Sequence, residues 1–202
     1  TLGGAYAKAL GINDAGMVTG HADRATGFGF SRAFIWDPVN GMRDIGTIAG
    51  DTASGTSINA NGHVAGTSTI NGFDNRQHAF LYDGTMRDLG AIGDNDFFSD
   101  RSAAYGINIH DHVVGSTYRP YEGGALYQIP FVYRNGQMFD LSTLVDASGA
   151  DYRLYTATGI NDAGQIAVDA RQISTGEIRA VLLTPNGASS DVLFTNGFDA
   201  AQ

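Results

Sequence analysis

The 202-residue chain contains no cysteine, which excludes structural disulfides, thiolate metal sites and a cysteine nucleophile. Charged residues are scarce at 16%, and Glu122 and Glu177 are the only glutamates. So few glutamates leave little material for a paired-glutamate glycosidase and, with lysine equally rare, for a coiled coil. Basic residues number 12 against 21 acids, a net charge of −9 that repels phosphates and argues against a nucleic-acid partner. No apolar run approaches the roughly 18 residues that a membrane span needs. There are only four prolines but 28 glycines, and 43% of the residues are hydrophobic, enough to build a buried core. No window carries a 3.6-residue apolar period long enough for a helix.

What the chain does contain is repetition, the first signal to look for in any sequence. The segment Gly11-Ile12-Asn13-Asp14-Ala15-Gly16-Met17-Val18-Thr19-Gly20 returns as Ser57-Ile58-Asn59-Ala60-Asn61-Gly62-His63-Val64-Ala65-Gly66. It returns again as Gly106-Ile107-Asn108-Ile109-His110-Asp111-His112-Val113-Val114-Gly115 and as Gly159-Ile160-Asn161-Asp162-Ala163-Gly164-Gln165-Ile166-Ala167-Val168. The asparagines are 46, 49 and 53 positions apart. A second element follows each copy: Ala33-Phe34-Ile35-Trp36, Ala79-Phe80-Leu81-Tyr82, Pro130-Phe131-Val132-Tyr133 and Ala180-Val181-Leu182-Leu183. A third follows in the first three copies: Met42-Arg43-Asp44-Ile45-Gly46, Met86-Arg87-Asp88-Leu89-Gly90 and Met138-Phe139-Asp140-Leu141.

Each unit reads as four short strands. The first ends in Ile-Asn, and Asn-x-x-Gly makes a tight turn in which glycine adopts positive φ. The dipeptides Asp83-Gly84 and Asn135-Gly136 are hairpin signals between strands three and four. Strand three is apolar on both faces, which predicts a sheet stacked between other sheets and places Trp36 in the core. Four-stranded antiparallel sheets with a period of 40–50 residues describe an all-β protein of β-propeller type, four blades of four strands. The units run over approximately 1–50, 51–96, 97–147 and 148–195, with a tail at 196–202. The small residues Ala5, Ala7, Ala9 and Gly11 and their counterparts place strand one innermost. The segment 191–194 is the remaining candidate for the last outer strand. Two arrangements follow: a ring closed by four blades, or one completed by upstream repeats or a second chain.

These motifs, with His78-Ala79-Phe80 and Arg32-Ala33-Phe34, resemble the bacterial extracellular HAF-repeat family over nearly the whole chain. The resemblance implies export and repeats, and no defined activity, catalytic residues or substrate. Low lysine, absence of cysteine and an abundance of Gly, Asn, Asp and Thr point the same way. The start at Thr1, without methionine or a signal-like segment, fits a mature or trimmed form.

Candidate chemistry is sparse. Asn13, Asn59, Asn108 and Asn161 recur at one structural position, either as a polar ring that could hold water, an ion or a sugar hydroxyl, or as caps of their own turns. Asp94, Asp96 and Asp100 lie close together in one loop whose Asp/Asn alternation could offer oxygens to Ca²⁺, against the alternative of a solvated acidic loop. His110 and His112 could pair on a metal, with no third ligand in view. Phe97, Phe98, Tyr118, Tyr121 and Tyr127 fall in or near the longest loops, where binding residues concentrate. Their alternative role is to cover the sheets. Neither a Gly-x-Ser-x-Gly, a His-Glu-x-x-His nor a phosphate loop is present. The expectation is a secreted, non-enzymatic binding or scaffold module that recognises a glycan or protein partner. The rivals are a structural subunit of a cell-surface or extracellular assembly and an Asp-based hydrolase, and a homo-oligomer or larger assembly is among the expected partners.

Overall fold

The computed structural model describes residues 1–25, 30–72, 76–93, 99–120 and 126–186, and the backbone of 194–196. It is all-β, with sixteen strands in four antiparallel sheets of four, and each sheet takes its strands in chain order. The first holds β1 (Gly3–Ile12), β2 (Val18–Arg24), β3 (Ser31–Asp37) and β4 (Gly41–Gly46). The second holds β5 (Ala53–Ile58), β6 (Val64–Thr69), β7 (Gln77–Tyr82) and β8 (Met86–Asp88). The third holds β9 (Ser102–Ile107), β10 (Val113–Pro120), β11 (Leu126–Arg134) and β12 (Gln137–Asp140). The fourth holds β13 (Tyr152–Ile160), β14 (Ile166–Gln172), β15 (Ile178–Pro185) and β16 (Phe194–Asn196). The last outer strand, expected within 191–194, is described over Phe194–Asn196, and 191–193 lie outside the described residues. Two 3₁₀ turns, Leu141–Leu144 and Ala147–Gly149, bridge the third and fourth sheets.

The sheets stack face to face in chain order. In each case the first strand of a sheet lies across the inner strands of the sheet before it: β5 on β2 and β3, β9 on β6 and β7, β13 on β10 and β11. The first strands also touch in succession, β1 to β5 to β9 to β13. The outer strands β4 and β8 pack mainly on their own third strands. Small residues make this approach possible. A Cβ on Gly106 would come within 3.1 Å of the Gly159 backbone, and one on Gly11 within 3.2 Å of Ser57.

Three apolar clusters fill the three seams. Ala33 and Ile35 meet Ala53, Ile58, Val64 and Phe80. Ala79 and Leu81 meet Ala104, Ile107, Val113 and Phe131. Val114 and Val132 meet Leu154, Ile166, Val181 and Leu183. Alternation along strand three therefore sends Phe80 toward the preceding sheet and Leu81 toward the following one, so both faces are buried. The first and fourth sheets do not pack extensively on each other. Trp36 corrects the expectation of burial: it is 37% exposed, and among the described residues no other sheet packs on its side of the first sheet. The strand-two glycines have a local cause. Strand one carries a bulge that drives a carbonyl toward strand two, so a Cβ on Gly66 or Gly115 would sit about 2 Å from the Ser54 or Ala103 oxygen. The fourth sheet, which has a further register break between Leu154 and Thr156, carries Val168 there instead.

Candidate functional site

The repeated asparagines do two jobs at once. Each side-chain oxygen accepts the backbone N–H four residues on: Met17 to Asn13 at 2.9 Å, His63 to Asn59 at 3.0 Å, His112 to Asn108 at 3.0 Å, Gln165 to Asn161 at 2.9 Å. Each amide nitrogen in the first three copies then donates to the backbone carbonyl of the next asparagine: Asn13 to Asn59 at 2.9 Å, Asn59 to Asn108 at 2.9 Å, Asn108 to Asn161 at 3.2 Å. The result is a directional ladder across the seams. With both ends of Asn59 and Asn108 engaged and both residues buried, they act as structural groups. Asp111 replaces the turn glycine and still takes φ 60°. Its carboxylate accepts from Asn59 Nδ2 at 2.8 Å and bonds His63 Nδ1 at 2.8 Å, which holds the residue in that strained region.

Beside the ladder, at the seam between the third and fourth sheets, lies a cleft of about 250 Å³ containing His110, His112, Arg134, Asp162 and Pro185. The imidazoles stand 6.0 Å apart. Burial, then the neighbouring His110 and Arg134 charges, push the His112 pKa down. Among the described residues no group of three His, Cys, Asp or Glu side chains could hold a metal ion.

A larger cleft, about 370 Å³, opens at the seam between the second and third sheets, lined among others by Gln77, Arg101, Tyr105, Ser116, Tyr118 and Leu126. It is a mixed surface. Gln128 Nε2 donates to Ser116 Oγ at 2.7 Å, and Ser116 Oγ lies 3.4 Å from the Tyr105 hydroxyl. Among the described residues Arg101 Nε is buried with no hydrogen-bond partner. Such a donor is costly to leave unpaired, and the residue that carries it lines this cleft.

Of the residues expected to bind, Tyr118 therefore lines a cleft. Tyr127 does not join it; the Arg153 guanidinium lies 5.1 Å above its ring at the next seam. Phe97, Phe98, Tyr121, Asp94 and Asp96 lie outside the described residues. Asp100 is engaged by protein groups, Oδ1 with His78 Nε2 and Oδ2 with Arg76, each at 2.8 Å. His78 Nδ1 in turn meets Asp88 at 2.8 Å. Both ring nitrogens facing carboxylates demand two N–H donors, hence an imidazolium. Burial alone would lower this pKa, but Asp88 and Asp100 together hold it above its ordinary value. Gln77, Arg101 and Tyr105 went unmarked in the sequence: Arg101 and Tyr105 lie at alternate positions along one segment, around the start of β9, and Gln77 of β7 joins them only through the stacking of the second sheet on the third.

Residues 4–178 match the family described as protein of unknown function (DUF3466), and the chain belongs to that family. No curated protein and no solved structure matches it.

Proposed function

We propose that the chain is an exported, non-enzymatic binding module of HAF-repeat character, whose four stacked sheets are consecutive blades of a propeller and whose ligand is a glycan held in the cleft of Tyr105 and Tyr118. The observation that carries this reading is the unpaired Arg101 Nε buried beside two tyrosines, a glutamine and a serine. Sugars are held by that combination: aromatic faces take the C–H surface of a pyranose, while amide, hydroxyl and guanidinium groups bond its hydroxyls or a uronic carboxylate. Among the described residues the shifted carboxylates do not include a candidate general acid. Where a described aspartate is shifted, at Asp37, Asp83, Asp88 and Asp151, the shift is downward, toward a permanent anion. A general acid needs the opposite.

The test is glycan-array binding followed by titration of the best hit. Tyr118→Ala and Arg101→Gln are expected to weaken binding at least about tenfold, the loss of one stacked ring or one charged hydrogen bond. His110→Ala, in the other cleft, should leave it unchanged. A blank array, or hits indifferent to both substitutions, removes the glycan reading.

A further inference from the structure

The three internal seams are built from the same positions, and those positions occur once more, unused, at the two ends of the stack. Ile58 and Ile107 on the first strands of the second and third sheets are each 6% exposed; Ile12, the same position in the first sheet, is 71% exposed. Thr19, Ala65 and Val114 on the second strands are fully buried, while Ala167, their counterpart in the fourth sheet, is exposed. A Cβ on Gly11 or Gly106 would meet the next sheet, whereas one on Gly159 would meet nothing within 4 Å. Among the described residues the first sheet thus lacks a predecessor and the fourth a successor.

The polar groups end in the same way. The asparagine ladder stops at Asn161, whose amide folds back onto its own Gln165 Oε1 at 2.9 Å. At the other end the Asn13 carbonyl accepts only the Gly16 N–H among the described residues, where Asn59 and Asn161 accept a second donor from the preceding sheet. Thr56 Oγ1 donates across its seam to Ala104 O at 2.7 Å; Thr158, at the same position, reaches only Ala167 of its own sheet. His21 and Ser54 are hydrogen-bonded across the first seam at 3.0 Å. Their counterparts at the open ends are Asp169 on the fourth sheet and Lys8 on the first, both exposed and of opposite charge, and Lys8 is the sole lysine of the chain.

Each open face is therefore the complement that the other lacks. We infer that two copies of this chain pair head to tail, the first sheet of each seated on the fourth sheet of the other, in a closed two-fold dimer with two identical seams. Across each seam Asn161 of one copy donates to the Asn13 carbonyl of the other, Thr158 to Ala9, and Lys8 pairs with Asp169. Two such contacts use all four open faces and leave no end for further growth. The ladder then runs unbroken through eight sheets. This pairing rests on the equivalence of the seams and not on the glycan reading; the array tests one and the molecular mass the other.

Sedimentation of the 202-residue chain over about 1–100 µM is the test, a range that brackets ordinary self-association. The expected species at the upper end has twice the 21.2 kDa monomer mass. Ile12→Arg alters a side chain already in solvent, so the monomer should fold as before, checked by circular dichroism. A charge placed in the new seam should raise the dissociation constant at least about a hundredfold. Lys8→Asp and Asp169→Lys alone should each weaken pairing about tenfold, and the two together in one chain should restore it, since each seam then regains an opposite pair. A monomer at every concentration, open-ended growth, or a dimer indifferent to Ile12→Arg overturns the proposal, as does failure of the reversed pair to rescue.

Discussion

Ile12 and Ile107 occupy the same step of the same repeat, end the same kind of strand and precede the same asparagine. One is 71% exposed and the other 6%. Nothing local distinguishes them; the difference is whether a sheet lies upstream. The inner sheets are thus stabilised through both faces and the end sheets through one. Residue type in this protein reports what a position needs in a complete seam, not what surrounds it in a single chain.

The sharpest way to break that comparison is to truncate both isoleucines. Ile107→Ala removes buried methylenes between Ala79, Leu81 and Val113 and leaves a cavity, an expected loss of about 2–4 kcal/mol in denaturant unfolding. Ile12→Ala should cost less than about 0.5 kcal/mol in dilute solution, where its side chain stays in water. Equal losses would mean that the upstream face of the first sheet is already covered.

The asparagines give the second contrast. Asn108 is 2% exposed, accepts the His110 and His112 N–H groups and donates to Asn161. Asn108→Ala strands those donors inside the stack, an expected cost of about 2–3 kcal/mol. Asn161→Ala loses one turn bond in solvent, about 1 kcal/mol or less. Inversion of that order would show that turn capping alone, without the ladder, accounts for the repeated residue.

Much of this was legible in the chain. Four cassettes in which Ile-Asn is followed by an apolar third strand, with Met-x-Asp after it in the first three, announce four like sheets of four strands, because alternation and turn chemistry are local properties. Turn capping by the asparagines was equally readable, since an Asx turn needs only its own neighbours. Two things were not. Trp36 belongs to a strand with apolar residues on both faces, and periodicity cannot say that one face has no partner. Arg101, Tyr105 and Tyr118 share the paired strands β9 and β10 or their ends, but the cleft is completed by Gln77 of β7, and how β9 crosses β7 is a stacking distance that no single segment encodes. Tyr105 in particular sits on a first strand, where the repeat favours small residues, so a bulky ring there was a departure that could have been noticed.

The smallest effect separates the first and second sheets by pH. At the position before Ala-Phe the first sheet has Arg32, bonded to Thr47 at 2.8 Å, and the second has His78 between Asp88 and Asp100. The His78 pKa lies above its ordinary 6.5, so its stabilisation is complete below that value and is lost as pH rises through the folded-state pKa. Asp88 shifts downward, its hydrogen bonds from His78 and Gly90 outweighing the upward push of burial, so its share is present at neutral pH and fades on acidification below its ordinary 3.8. His21 and His112 are lowered and act in the opposite sense to His78, gaining stability as pH rises. The measurement is therefore a difference: urea midpoints of the wild type and of His78→Gln, taken from pH 5 to 9. Their gap should be widest at the acidic end of that range and narrow steadily as His78 loses its proton. A gap that stays constant across the range would mean that the imidazole holds Asp88 and Asp100 by shape and neutral hydrogen bonds, and that the second sheet is no more sensitive to pH than the arginine-bearing first.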